Sequence, residues 1–233
     1  MITSKYCYLR NRCKKLAKDS SCDKEDIYCI KLFKIDRLYD NSVLSYKQRL
    51  HIDLYPDTNG ADNDNFSKLK DIEEHINQFV YNGKNLYIHS TITGNGKTSW
   101  AIRMIQAFIE NNWIESDIDA CRALFINVPR FLLELKDNIG TKSEYIDYIK
   151  RHIFEADLVV WDEIGVKALS EYDHENLLNL INTRLDMGRS NIYTSNLSSN
   201  DLGNNIGLRL YSRIVKLSEN IELVGADKRT MYK

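Results

Sequence analysis

Gly94-Asn95-Gly96-Lys97-Thr98, set directly after the apolar run Leu86-Tyr87-Ile88, constrains this chain more than any other feature. Glycines on either side of Asn95 let the backbone curl until successive N–H groups point at one phosphate. Lys97 then reaches β- and γ-phosphate oxygens, and the Thr98 hydroxyl is placed to hold Mg²⁺ at a helix N-terminus. Thr93 and Ser99 flank the loop and complete the candidate nucleotide contacts. The full pattern G-x-x-x-x-G-K-[ST] asks for glycine at position 91, where this chain has Thr91. A bare G-K-[ST] arises by chance in about one chain in ten of this size, so a second half of the site has to be found.

Asp157-Leu158-Val159-Val160-Trp161-Asp162-Glu163 supplies it. The apolar run reads as a buried parallel strand that ends in two carboxylates. In a parallel α/β sheet that carboxyl end is where ligands bind, and the phosphate loop follows another strand at the same edge. Asp162 is then placed to hold the Mg²⁺ shell and Glu163 to polarise an attacking water. An Asp-Glu pair alone would read as a solvated turn; beside a phosphate loop it reads as chemistry.

The strand and helix order agrees. Leu69, Ile72, Ile76, Phe79 and Val80 recur at helical spacing, with Gly83 to close the helix. From Leu86 onward strands alternate with helices: the strand to His89, the helix carrying Ala101, Ile102, Ile105, Phe108 and Ile109, and the strand Ala123 to Val128. Helices over 131–139 and 145–154 come next, then the Asp162 strand. A helix with Leu177, Leu178, Ile181 and Leu185, closed by Gly188, leads to the strand Asn191 to Asn196. Helices are expected to follow. Such alternation predicts a parallel sheet covered by helices on both faces.

Ahead of this domain, residues 1–50 carry twelve Lys or Arg against six Asp or Glu, within a chain of net charge −1. That local excess suits nucleic acid or an acidic protein face. Four of five cysteines, Cys7, Cys13, Cys22 and Cys29, lie there. A short segment without a core can be held by tetrahedral Zn²⁺ through four thiolates. The spacing lacks a C-x-x-C knuckle, and the alternative is that Cys7 and Cys29 pack as small hydrophobes. Residues 51–66, with Tyr55-Pro56-Asp57-Thr58-Asn59-Gly60, read as a polar linker, leaving 67–233 as the second domain. No apolar signal core or membrane-length run is seen, so a cytoplasmic protein is expected.

Two later segments add candidates. Asn196, ending Thr194-Ser195-Asn196-Leu197, offers an amide to a γ-phosphate or a water, with a helix N-cap as the competing reading. In Leu208-Arg209-Leu210-Tyr211-Ser212-Arg213-Ile214 two arginines four apart share a helix face. Arginine can stabilise a transferring phosphoryl, also from a neighbouring subunit.

Together, Gly94-Asn95-Gly96-Lys97-Thr98, Val159-Val160-Trp161-Asp162-Glu163, Thr194-Ser195-Asn196-Leu197 and Arg209-Leu210-Tyr211-Ser212-Arg213-Ile214 resemble the DnaC/DnaI-type replicative helicase loaders of the AAA+ superfamily, the phage-encoded ones above all, with IstB-like proteins as relatives. The resemblance covers roughly residues 67 to 233. It implies an α/β fold of the AAA+ (ASCE) P-loop NTPase type and an ATPase that uses ATP and Mg²⁺. It implies assembly side by side in a ring or spiral with ATP at subunit interfaces, a DnaB-type ring helicase as partner, and a grip on single-stranded DNA. Lys97 and Thr98 match the Walker A residues, Asp162 and Glu163 Walker B, Asn196 sensor 1 and Arg213 the arginine finger, with Arg209 as the fallback. Asn127 matches the polar partner of Glu163, and Arg229 resembles sensor 2. The related loaders carry an N-terminal zinc-bearing helicase-docking region, which agrees with Cys7, Cys13, Cys22 and Cys29. The bacterial cytoplasm, or the host's for a phage protein, is the expected site.

ATP is expected because the guanine-reading N-K-x-D sequence is absent. Phe131, Lys136, Lys142, Lys150 and Arg151 are the DNA-facing candidates, against the plainer reading of a solvated helix face. Besides a loader, two readings stand open: an IstB-like ATPase assisting transposition, and a nucleotide-dependent protein that sequesters a replication factor.

Overall fold

A computed structural model describes residues 27–56, 60–137 and 142–228. The elements run α1 (Ile27–Asn41), a single 3₁₀ turn (Tyr46–Arg49), α2 (Asn63–Glu74), α3 (Ile76–Tyr81), β1 (Asn85–His89), α4 (Lys97–Asn112), β2 (Ala123–Asn127), α5 (Val128–Asp137), α6 (Glu144–His152), β3 (Leu158–Asp162), α7 (Glu171–Asp186), β4 (Ser190–Ser195), α8 (Ser199–Ile206), α9 (Leu208–Ile214) and β5 (Glu219–Glu222). The five strands form one parallel sheet in the order β2-β3-β4-β1-β5.

The strands are apolar because both sheet faces are covered. Alternate residues serve opposite cores: Leu86, Ile88, Phe125, Leu158, Val160 and Ile192 pack under α1 to α4, while Tyr87, Leu124, Ile126, Val159, Trp161 and Tyr193 pack under α5 to α9. The order places β1 between β4 and β5, so the carboxyl ends of β1, β3 and β4 meet along one edge. Ligands of open parallel sheets bind at that edge.

Three sequence expectations are corrected. The strand β5 was not anticipated, because only Ile221 of its four residues is buried. A charged, exposed edge strand has no apolar signature; its place comes from pairing Ile221 with Ile88. The division at residue 50 is also moved. Ile35, Leu38, Tyr39 and Leu44 lie in the same core as α4, Tyr39 Oη donates to Glu110 Oε1 at 2.6 Å, and Asn41 Nδ2 donates to Ile118 O at 2.9 Å. Residues 27–50 are therefore part of the α/β domain. The 51–66 stretch is more than a linker: Ile52 and Leu54 pack on the core, and α2 already starts at Asn63.

Arg184 is the polar anchor of the second core. It is fully buried and its guanidinium donates to Asn191 Oδ1 at 2.8 Å, Ala156 O at 2.9 Å, Ser190 O at 2.7 Å and Ile153 O at 2.5 Å. Burial pushes its pKa down to about 9. Asn191 Oδ1 also accepts from Trp161 Nε1 at 3.1 Å, so one side chain links α7, β3 and β4.

Candidate nucleotide site

The phosphate loop leaves β1 at Ser90 and enters α4 at Lys97. Gly96, the residue before the helix, has φ +107° and Gly94 has φ +74°, a region that L side chains rarely adopt. A Cβ on Gly94 would also stand 1.9 Å from Asp227 Oδ1, so a larger residue there would displace the Asp227 side chain as well as strain the backbone. Asn95 is buried and ties the loop down: its Nδ2 donates to Ser90 Oγ at 2.7 Å and to Leu223 O at 2.9 Å. Lys97 Nζ donates to Ile92 O at 2.8 Å and to Asn95 Oδ1 at 3.1 Å.

The Asp162 strand meets the loop as the sequence suggested. Thr98 Oγ1 donates to Asp162 Oδ1 at 2.8 Å, and Thr194 Oγ1 donates to the same oxygen at 2.7 Å. Burial raises the pKa of Asp162 above the ordinary carboxylate value, and the neighbouring Glu163 adds to the rise. The hydroxyls of Thr194 and Thr98 pull against it. Glu163 has φ +61°, a strained conformation that costs a non-glycine residue about 1 kcal/mol or more. Its N–H donates to Thr194 Oγ1 at 3.0 Å, and its Oε2 accepts from Asn127 Nδ2 at 3.1 Å. Asn127 Oδ1 is itself fixed by the Arg130 N–H at 3.2 Å.

A cavity of about 400 Å³ opens over these groups, lined by Thr93 to Trp100, Glu163, Thr194, Ser195 and Asn196, and on the other side by Ile52 to Tyr55 and Lys228. The structure thus brings Thr93, Gly94, Asn95, Gly96, Lys97, Thr98, Ser99, Glu163 and Asn196 to one cavity, with Asp162 beneath it. Asn196 follows the end of β4 and is not the N-cap of α8; Ser198 takes that position, accepting from Asp201 N at 3.2 Å. Arg213 is not at this cavity. It sits on α9, where its Nε donates to Asn182 Oδ1 at 3.2 Å, and Arg209 is exposed on the same helix. Arg229, Cys7, Cys13 and Cys22 lie outside the described residues; Cys29 is half-buried on α1. Among the described residues no group of three or more His, Cys, Asp or Glu is gathered to hold a metal.

Sequence reasoning missed three contributors. Thr194 was read as part of a strand end and of the Thr194-Ser195-Asn196-Leu197 segment, with no role of its own. Ile52 to Tyr55 were hidden in a polar stretch whose alternating Ile52 and Leu54 were its one apolar sign. Lys228 donates from its backbone to Gly94 O at 3.1 Å and from Nζ to Tyr55 O at 2.5 Å, closing the cavity rim. Buried Asp62 holds the same terminal stretch, accepting from Val224 N at 2.7 Å and Gly225 N at 2.6 Å. Of the DNA-facing candidates, Phe131 is a fully buried core residue and is withdrawn. Lys136 pairs with Asp173 at 2.7 Å and Lys142 with Asp147 at 3.5 Å, whereas Lys150 and Arg151 are exposed on α6. Among the described residues no helix is long and apolar enough to cross a membrane.

Comparison with known proteins agrees with this geometry. The family model described as IstB-like ATP binding protein matches residues 35–226. Among solved structures the chain resembles the DnaC helicase loader, at 20% identity and TM-score 0.62, over 77% of this chain and 99% of that one. It also resembles a putative primosome component from Streptococcus pyogenes serotype M3, at 20% identity and TM-score 0.61, over 83% and 98%. DnaI is similar at 22% identity and TM-score 0.56, over 82% and 93%. At these identities the likeness is one of fold. No curated protein sequence matches the chain. With the family model spanning 35–226 of the chain's 233 residues and the P-loop, Asp162 and Glu163 meeting at one sheet edge, the chain belongs to the IstB-like ATP-binding family and has the AAA+ fold shared with DnaC-type helicase loaders.

Proposed function

We infer that this protein is an Mg²⁺-dependent ATPase that loads a ring helicase onto single-stranded DNA. The observation that carries the enzymatic part is the meeting of Thr98, Asp162 and Glu163 beside the phosphate loop. A hydroxyl and a carboxylate are the hard oxygen donors that Mg²⁺ takes alongside phosphates, so the residues fit the ion. When bound, Mg²⁺ neutralises charge on the β- and γ-phosphates.

This chain's own groups do the rest. The P-loop N–H groups and Lys97 bind the phosphates, Lys97 exchanging Ile92 O and Asn95 Oδ1 for phosphate oxygens. Glu163, released from Asn127, accepts a proton from the attacking water in line with the γ-phosphorus. Asn196 orients that water or the γ-phosphate. Arg213, remote from its own cavity, acts on the site of the next subunit in a ring or spiral, where a guanidinium stabilises the transferring phosphoryl. Lys150 and Arg151 are the cations offered to DNA phosphates.

Helicase docking is assigned to the segment ahead of α1, where Cys7, Cys13 and Cys22 precede Cys29 and zinc is the proposed staple. The test is co-purification of the full chain with candidate ring helicases, with and without ATP. A nucleotide-sensitive complex that is lost on removing residues 1–26 supports the loader reading; absence of any complex removes it. The IstB-like family match favours one second reading, ATP-dependent assistance to a transposase, which a complex with a transposase in place of a helicase would establish.

A further inference from the structure

The end of β4 is bonded to the two acids at the end of β3, to the residue after them and to the start of the phosphate loop. Thr194 Oγ1 donates to Asp162 Oδ1 and accepts from Glu163 N, while Thr194 O accepts from Ile164 N at 2.9 Å. Ser195 Oγ donates to Ile164 O at 2.8 Å and accepts from Leu197 N at 3.2 Å. Ser195 O accepts from Ser90 N, where the phosphate loop begins, at 3.2 Å. Thr194 therefore receives the N–H groups of both Glu163 and the residue after it, and Ser195 fixes both the Ile164 carbonyl and the peptide that follows Asn196.

This bonding surrounds a strained residue. Glu163 at φ +61° persists only where its surroundings over-determine it. A threonine at this point supplies what no aliphatic residue can, a buried hydroxyl that donates to one acid and accepts from the backbone of the next. We propose that Thr194, backed by Ser195, is the positioning residue of the site: it aims the Glu163 carboxylate and ties its position to that of Asn196. Phosphate binding by Lys97 and the P-loop amides does not pass through these bonds, so the predicted defect is in turnover and not in affinity. The proposal rests on the ATPase reading.

Three variants test it. Thr194→Val keeps the β-branched shape and removes the hydroxyl; Thr194→Ser keeps the hydroxyl; Ser195→Ala removes the second attachment. Binding of a fluorescent ATP analogue and Mg²⁺-dependent ATP turnover are measured for each. The expectation for Thr194→Val is a Kd within about threefold of wild type with kcat lowered about tenfold or more, and for Thr194→Ser a kcat within about threefold of wild type. Wild-type kcat in Thr194→Val, or an equal loss in Thr194→Ser, overturns the proposal. Should Thr194→Val fail to fold, Ser195→Ala decides: lowered kcat at unchanged Kd supports it, and wild-type kcat overturns it. A wild-type chain no faster than Glu163→Gln removes the ATPase reading and this proposal together, whereas an active wild type equalled by Thr194→Val removes this proposal alone.

Discussion

Thr98 Oγ1 lies 2.8 Å from Asp162 Oδ1, joining the first turn of α4 to the end of β3. The bond is made between a helix start and a strand end that are far apart in the chain, and it is made inside the protein. Asp162 is 4% exposed. Its carboxylate is costly to keep charged at that depth.

That cost predicts a trade of stability for function at Asp162. Its folded-state pKa is raised by burial, so folding favours the protonated acid. The contribution to stability is present at low pH and is lost as pH rises past the ordinary carboxylate range. Asp162→Asn should therefore raise the melting temperature at pH 7 when measured without Mg²⁺, while abolishing Mg²⁺-dependent ATP turnover. A lowered melting temperature would contradict this account of the buried acid.

Arg184 makes the opposite prediction. Truncation to alanine removes the donor to the Ile153, Ala156 and Ser190 carbonyls, leaves Asn191 Oδ1 with Trp161 Nε1 alone, and opens a cavity. Arg184→Ala is expected to lose about 3 kcal/mol or more of stability in urea unfolding. Arg184→Lys, a point charge in place of a planar fork, should recover only part of it. A loss under about 1 kcal/mol would show that α7 does not depend on this hub.

Asp62 links the α2 start to the chain's far end by accepting from Val224 N and Gly225 N. Asp62→Ala strands the buried Gly225 N–H and frees the part-buried Val224 N–H, a loss of about 1–3 kcal/mol. Because the same stretch runs on to Lys228 at the cavity rim, ATP affinity should fall as well. Protease digestion with and without ATP checks both effects: the variant should be cut faster near residues 224–228, and ATP should protect it less than wild type.

Arg213 tests whether sites are shared between subunits. The variant Arg213→Ala should bind ATP normally and hydrolyse it about 10²-fold more slowly or worse. Mixed with Glu163→Gln, it should give more turnover than either variant alone, because an intact Glu163 then meets an intact Arg213 across an interface. If the mixture is no faster than the two separately, the finger does not act between subunits.

The P-loop, the Asp162 strand and the alternating order were legible because each leaves a strong local mark: glycines beside a lysine and a threonine, and an apolar run ending in two acids. Asn127, at the end of β2, was legible through the family resemblance, and the structure brings its amide to Glu163. What was hidden depends on contacts distant in sequence. The exposed edge strand β5 has one buried residue and acquires its register only against β1. Residues 27–50 looked separate because their charge excess masks Ile35, Leu38 and Tyr39, whose burial is visible only once α4 is placed. Thr194 lies in the Thr194-Ser195-Asn196 segment, which drew attention to Asn196 alone; its own importance comes from facing Asp162 and Glu163 across the β3–β4 pair.

The most direct test of the central claim is steady-state ATP hydrolysis by the purified full chain, with Mg²⁺, beside Glu163→Gln. The account predicts measurable wild-type turnover that falls about 10²-fold or more in the variant, with fluorescent-ATP affinity unchanged. Equal rates in the two proteins, whether both active or both inactive, would contradict it.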